Sequence, residues 1–294
     1  MCPQPASTEH GPEQPSDTTP LKTAAFNSRR AQEPNVFALL KHPPIVSIDG
    51  GAGSGKSSVA KLVAETIGGA PVLDSGRWFR ALGLIATNSN IDPEDAQRIA
   101  ELGGRFAFSN APKDSPDEII ARDLSAHEPA VRGISTADLE TQDVADAASK
   151  IGKHRALRAI FQARQLEEAR EGCITVGRAQ GSEIFSQEFS KTTGQPVLRI
   201  LLYANLETRA TRRFLQHNDR EPTQEELSHM LCDLQTRDER DMNRDIAPLL
   251  SSEQAQQQGY IVIDTSAISS AEVARLIVSH LREIVPNLSS DGSI

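Results

Sequence analysis

From residue 45 onward, short apolar runs alternate with longer stretches in which apolar residues recur at helical spacing. The runs are IVSI at 45–48, PVL at 71–73, CITV at 173–176, VLRILLY at 197–203 and YIVI at 260–263. None shows the strict alternation of a half-exposed strand, so each reads as a strand buried on both faces of a parallel sheet. Helical patterns cover about 55–67, 75–88, 92–102, 138–170, 206–217, 223–243 and 269–284. This order predicts a doubly wound α/β domain. Residues 104–136 break the rhythm with short strand-like pieces and turn residues, and are expected to form a small inserted subdomain.

Both ends lack either period. Residues 1–40 are rich in Pro, Gln, Ser, Thr and Glu and cannot bury enough apolar surface to offset chain entropy, so a disordered tail is expected. The domain is expected over 41–286, with a frayed end over 287–294, LSSDGSI being its sequence from Leu288.

Composition narrows the partners. With 31 basic and 40 acidic side chains the net charge is −9, which argues against general attraction to nucleic acid or an anionic membrane. Phosphate recognition must then come from local arginine clusters. Cys2, Cys173 and Cys232 show no CxxC spacing, so neither a disulfide framework nor a metal site is expected. No apolar stretch reaches the ~18 residues of a membrane span, and the N-terminus has no signal-peptide pattern. A cytoplasmic monomer acting on small molecules is the expectation.

The chemistry enters at IDGGAGSGKSS, residues 48–58. Gly50-x-x-x-x-Gly55-Lys56-Ser57 is a phosphate-binding loop pattern, placed after a strand and before a helix. Its glycines permit positive φ and keep side chains from between the loop N–H groups and phosphate oxygens. The helix N-terminus adds partial positive charge beneath the anion. The expected nucleoside triphosphate site comprises Gly50, Gly51, Ala52, Gly53, Ser54, Gly55, Lys56, Ser57 and Ser58. Lys56 should reach the β- and γ-phosphates, and the Ser57 hydroxyl should ligate Mg²⁺.

An acceptor phosphate requires guanidinium groups opposite the loop. In TRDERDMNRDIAPL (236–249), Arg237, Asp241 and Arg244 stand at i, i+4 and i+7, on one helix face. DSGRWFR (74–80) and VGRAQGSEIF (176–185) follow the second and third strands, where open α/β sheets bind ligands. Taken alone, the run from Arg237 to Arg244 also fits a solvated, salt-bridged face. Ser149 fits a small packing residue, Asp264 and Thr265 fit a strand end or an adenine pocket, and Trp78 reads as core packing.

These segments, in this order, resemble the bacterial cytidylate kinases of the nucleoside monophosphate kinase family, over about residues 44–284. IDGGAGSGKSS is similar to that family's IDGPSGSGKG, LDSGRWFR to LDSGxxYR, and RDERDMNRDIAPL to RDxRDxxRxxxPL. VADAASKIGKHRALR (144–158) is similar to VxxxASxxAxxPxVR, and VIDTS (262–266) to the family's late strand. The resemblance implies a P-loop NTPase-like five-stranded parallel sheet with helices on both faces. It also implies a β-subdomain at the nucleoside monophosphate site and a helical lid over about 209–240, which Arg209, Arg212 and Arg213 begin. It implies that Ser75, Ser149, Arg158, Asp241 and Arg244 contact CMP or dCMP, and that Arg80, Arg178 and Arg237 grip the acceptor phosphate and the group in flight. Lys56, Arg178 and Arg237 become the expected catalytic set. ATP is the implied donor, with Mg²⁺.

One motif departs. The family's DGRD followed by glycine and threonine reads here Val176-Gly177-Arg178-Ala179-Gln180-Gly181-Ser182, so both carboxylates are absent. Phe79 also replaces the usual tyrosine. Asp49 and Glu183 are the candidate acidic substitutes for the metal. Two alternatives stand beside (d)CMP kinase activity. One is a nucleotide-binding homologue with little or no turnover; the other is a small-molecule kinase with a changed acceptor.

Overall fold

The five apolar runs become one parallel sheet in the computed structural model, which describes residues 35–110, 118–125, 130–285 and 288. β1 (Ile45–Gly50) is central, between β6 (Cys173–Gly177) and β7 (Val197–Tyr203). β2 (Val72–Asp74) lies outside β6 and β8 (Ile261–Asp264) outside β7. Ile48 is paired in register with Val176 on one side and Ile200 on the other. Every residue of β1 is buried, as a strand covered on both faces requires.

Helices α1 (Lys56–Thr66) and α11 (Ser270–Ile284) cover one face, their Val59, Val63, Ile277 and Val278 sharing a core with Val46, Ile174 and Ile200. On the other face Ile45, Leu73 and Cys173 pack with Phe185, and Leu201 with Tyr260. A second core joins α2 (Ser75–Asn88), α3 (Ala96–Arg105), α5 (Gln142–Ile151) and α6 (Arg155–Glu168) to a three-stranded antiparallel sheet. That sheet is β3 (Phe106–Asn110), β4 (Glu118–Asp123) and β5 (Val131–Ser135), within the stretch expected to be an insertion. Trp78 is buried there, edge-on to Phe161 at 5.7 Å, which is the packing role its sequence context suggested.

Several boundaries move. The expected helix over 138–170 is three pieces: α4 (Thr136–Leu139), α5 and α6. Thr141 caps α5 and the chain turns at Gly152, Lys153 and His154, so that α5 packs on α2 and α6 on α3. Helices α7 (Gln187–Thr193) and α10 (Ser252–Gln257) are short additions that the periodicity did not show. The boundary at residue 40 is also corrected. Val36–Leu39 form a 3₁₀ turn capped by the Asn35 side chain, and Phe37 is fully buried against the main core. Leu288, placed in the frayed end, is buried in the same core. Residues 1–34 and 289–294 lie outside the described residues. Cys173 is a free, buried thiol.

The rest of the chain forms a helical pair, α8 (Leu206–Leu215) and α9 (Gln224–Met242). Ala210, Leu227 and Leu234 pack between the two, with Ala52 of the loop beneath. Among the described residues no helix is long and apolar enough to cross a membrane.

Because Phe37 fills a closed site, Phe37→Ala should lower the unfolding free energy by about 3–5 kcal/mol in urea titration. A loss within about 0.5 kcal/mol would be the behaviour of an exposed tail.

Candidate active site

The loop geometry follows from its glycines. Gly50 has φ +150°, and a Cβ there would lie 2.3 Å from the Leu202 carbonyl. Gly53 has φ +73°, and its Cβ would lie 2.7 Å from the Arg209 carbonyl. Only glycine can therefore follow this path between β7 and α8. Gly55, left-handed at φ +89°, starts α1 at Lys56. The Lys56 ammonium donates to the Gly51 carbonyl at 2.6 Å.

A cavity of about 700 Å³ opens at the carboxyl ends of β1, β2 and β6. It gathers Ala52, Gly53, Gly55, Lys56, Ser57 and Ser58 of the loop. Facing them are Ser75 and Arg80 of α2, Ser149 of α5, Arg158 of α6, Arg178 just after β6, and Arg237, Asp241 and Arg244 from α9 and the residues just past it. Gly50 and Gly51 shape the loop without lining this cavity. Ser54 is buried and lines a smaller cavity of about 230 Å³ with Gly53, Gly55 and Ser58. Arg212 and Thr265 line that one too, Arg212 Nη1 donating to Thr265 Oγ1 at 3.0 Å. Asp264 lies outside both.

The electrostatics are those of an anion site. Burial, then the fields of Arg178 and Arg80, push the Arg237 guanidinium well below the usual arginine range. Arg237 Nε is buried with no hydrogen-bond partner among the described residues. Burial and then Arg213 lower Arg80 likewise. Lys56 is half-buried, and dehydration by the cleft walls followed by Arg178 lowers its ammonium from 10.5 to about 7.

The cluster is held from α9. Asp241 Oδ2 pairs with Arg178 at 3.0 Å, while its Oδ1 takes Arg244 and, at 3.3 Å, the Ser149 hydroxyl. Burial would raise the Asp241 carboxyl, yet Arg178 and Arg244 outweigh it and hold it below the ordinary carboxylate range. Asp238 takes Arg209 on Oδ2 at 2.5 Å and faces Arg178 on Oδ1 at 3.7 Å. The run from Arg237 to Arg244 is thus a buried ion-pair network and not a solvated face. Arg158 sits over the Phe79 ring at 5.4 Å and donates to the Gly152 carbonyl at the α5–α6 turn. The absent tyrosine hydroxyl leaves that ring in use.

Neither proposed acidic substitute serves the loop. Asp49 is buried and accepts from the Gln180 and Gly181 amides at 2.8 and 2.9 Å, from Tyr260 at 3.1 Å and from Ser47 at 3.3 Å. Burial raises its carboxyl above the ordinary range despite these donors. It pins a π-helical turn, Gln180–Ile184, behind Arg178. Glu183, on that turn, acts instead on Arg158, whose pKa burial and Arg244 lower to about 10 while Glu183 opposes them. At the loop itself, the Ser57 hydroxyl donates to Asp74 Oδ2 at 2.8 Å. These two oxygens are donors of the kind a hard divalent cation takes.

Four residues escaped the sequence reading. Arg213 lines the large cavity beside Arg80, although its motif suggested only the start of a lid. Asp238 follows Arg237 in an acidic-basic run that does not distinguish it. Gln180 donates to Ser75 Oγ at 3.0 Å and accepts from Thr175 at 3.1 Å, a contact visible only once β6 ends beside α2. Asp74 entered the sequence reading only as the first residue of DSGRWFR, and in the fold it caps α2.

Comparison with known proteins places the chain. The sequence model of one family, cytidylate kinase, matches residues 46–283. A cytidylate kinase of Shewanella loihica is 32% identical over 248 residues, 83% of this chain and 97% of that protein. Another, of Shewanella sediminis, is 32% identical over 84% of this chain and 98% of its own length. A gluconokinase structure from Sinorhizobium meliloti overlaps 85% of this chain and 97% of its own at 14% identity and TM-score 0.37, too loosely to bear on function. With a family match across most of its length and relatives above 30% identity, the chain belongs to the cytidylate kinase family and is a nucleotide-binding phosphotransferase.

Proposed function

We propose that this kinase moves the γ-phosphoryl of ATP to CMP or dCMP, giving ADP and CDP or dCDP. The observation that carries the reading is the crowding of Arg80, Arg178, Arg213 and Arg237 around Lys56 in one cavity. Four guanidinium groups crowded in one cleft, all at least partly shielded from water, repel one another, and a bridging phosphate relieves that repulsion.

In this reading the loop amides and Lys56 hold the β- and γ-phosphates, and the smaller cavity beside Arg212 and Thr265 takes the donor base. The acceptor phosphate lies among Arg80, Arg178 and Arg237 and attacks in line, with no covalent intermediate on the protein. Ser57 would hold Mg²⁺, which when bound neutralises charge on the transferring phosphates. Ser75, Ser149, Arg158, Asp241 and Arg244 line the acceptor nucleoside end. Asp241 and Arg244 offer an acceptor and donors side by side, the complement of a base edge that carries both. Closure of the α8–α9 pair excludes water from the cleft.

The direct test is an acceptor panel in a coupled ADP assay: CMP and dCMP should react, with UMP, AMP and non-nucleotide phosphates far behind. Loss of CMP preference overturns the acceptor assignment. Arg158→Ala should raise KM for CMP about 10- to 100-fold while kcat changes far less, as removal of a charged hydrogen bond to bound substrate predicts.

Lys56 gives a pH signature. Its pKa in the free site is about 7 against 10.5 when unperturbed, so between these values the free site holds the neutral amine. A bound triphosphate favours the ammonium, and ATP binding should therefore take up a proton in that window and weaken as pH rises through it, by at most about tenfold per pH unit. Calorimetry near pH 8.5 in buffers of different ionisation enthalpy reads the uptake. Lys56→Met should abolish it.

A further inference from the structure

Asp74 ends β2 and caps α2, its Oδ1 accepting from the Arg77 amide at 3.4 Å. The cap leaves Oδ2 for a second role, and that oxygen accepts from Ser57 Oγ at 2.8 Å. Both residues line the large cavity with Lys56, and the charge of Asp74 acts on Lys56 against the arginines. Asp74 is also paired in register with Val176. Val176 is the position that lacks the carboxylate of the DGRD motif. With no carboxylate at Val176, the acidic side chain that remains at the ends of these two paired strands is Asp74, already in contact with the loop serine.

Of the carboxylates that line the cavity, Asp74 is the one in contact with the loop serine; Glu65, Glu140 and Glu183 line it without a hydrogen bond to Ser57 among the described residues. Asp49 is consumed by four donors behind the sheet, and Asp238 and Asp241 by arginines. Asp74 and Ser57 together supply oxygen donors suited to Mg²⁺, which binds proteins through one or two carboxylates plus substrate phosphates.

We propose that Asp74, together with Ser57, holds the divalent cation that accompanies the triphosphate, with no acidic group at Val176 to assist. This rests on the donor half of the function above and is independent of the acceptor. The cap function is separable, because Asn and Ser cap helices about as well as Asp.

The probe is Mn²⁺, whose free concentration is read by electron paramagnetic resonance, with the full chain, saturating ADP and no acceptor. Asp74→Asn should bind Mn²⁺ in the nucleotide complex at least about tenfold more weakly than wild type, while metal-free ADP binds equally well or better because a negative charge is gone. Asp74→Ser is the second variant should the amide not fold, and thermal melting checks both caps. Adding Val176→Asp to Asp74→Asn should recover Mn²⁺ affinity, whereas Val176→Asp alone should change it little. Equal Mn²⁺ affinity in wild type and a folded Asp74 variant overturns the proposal. Failure of CMP to react overturns the acceptor assignment and leaves this comparison standing. Absence of Mn²⁺-dependent nucleotide binding in the wild type overturns both.

Discussion

The site depends on keeping like charges together. Arg80, Arg178, Arg213 and Arg237 surround a lysine whose own charge is partly suppressed, and such an arrangement is costly unless something fixes it. The fixing is done by two carboxylates one helical turn apart on α9. Asp241 is shared between Arg178 and Arg244, and Asp238 between Arg178 and Arg209. An uncompensated buried charge costs about 3–5 kcal/mol, so the aspartates determine which arginines can stay inside. The guanidinium groups left without full compensation, Arg237 above all, are those that face the loop.

A second layer explains how β6 ends without its usual acidic residues. Asp49 leaves β1 and binds the first amides of the π-helical turn, so the backbone behind Arg178 is set from the neighbouring strand. Tyr260, at the start of β8, adds its hydroxyl to the same carboxylate and ties the turn to the opposite side of the sheet. Gln180 then reaches forward to Ser75. Arg178 is therefore supported by the turn beneath it and by α9 above it, its ion pairs among the described residues being with Asp238 and Asp241 of α9.

Much of this was legible in the sequence, for identifiable reasons. Strands buried on both faces leave unbroken apolar runs, and the loop glycines are dictated by φ and by the approach of Leu202 and Arg209, so both survive as local patterns. Of the expected helix face, Arg237 and Asp241 lie on α9, while Arg244 falls just past its C-cap Asn243 and returns to Asp241 by an ion pair. What was lost was non-local. Phe37 is one apolar residue in polar surroundings, and only the turn capped by Asn35 delivers it to the core. The turn at Gly152 is invisible to a periodicity that continues on both sides. Asp74, Asp238 and Arg213 carry residue types common on any surface, and their meaning lies in which side chain each meets across the cleft.

Asp238 also joins two parts of the molecule usually treated as separate. One of its oxygens grips Arg209 at the root of α8, whose guanidinium also donates to the Ala52 carbonyl of the loop at 3.2 Å; the other faces Arg178 at the reacting end of the cavity. Any displacement of the helical pair about that root would consequently redistribute positive charge in the cavity at the same instant. The seating of the helical pair and the placement of Arg178 share one carboxylate, so a substitution of Asp238 disturbs both.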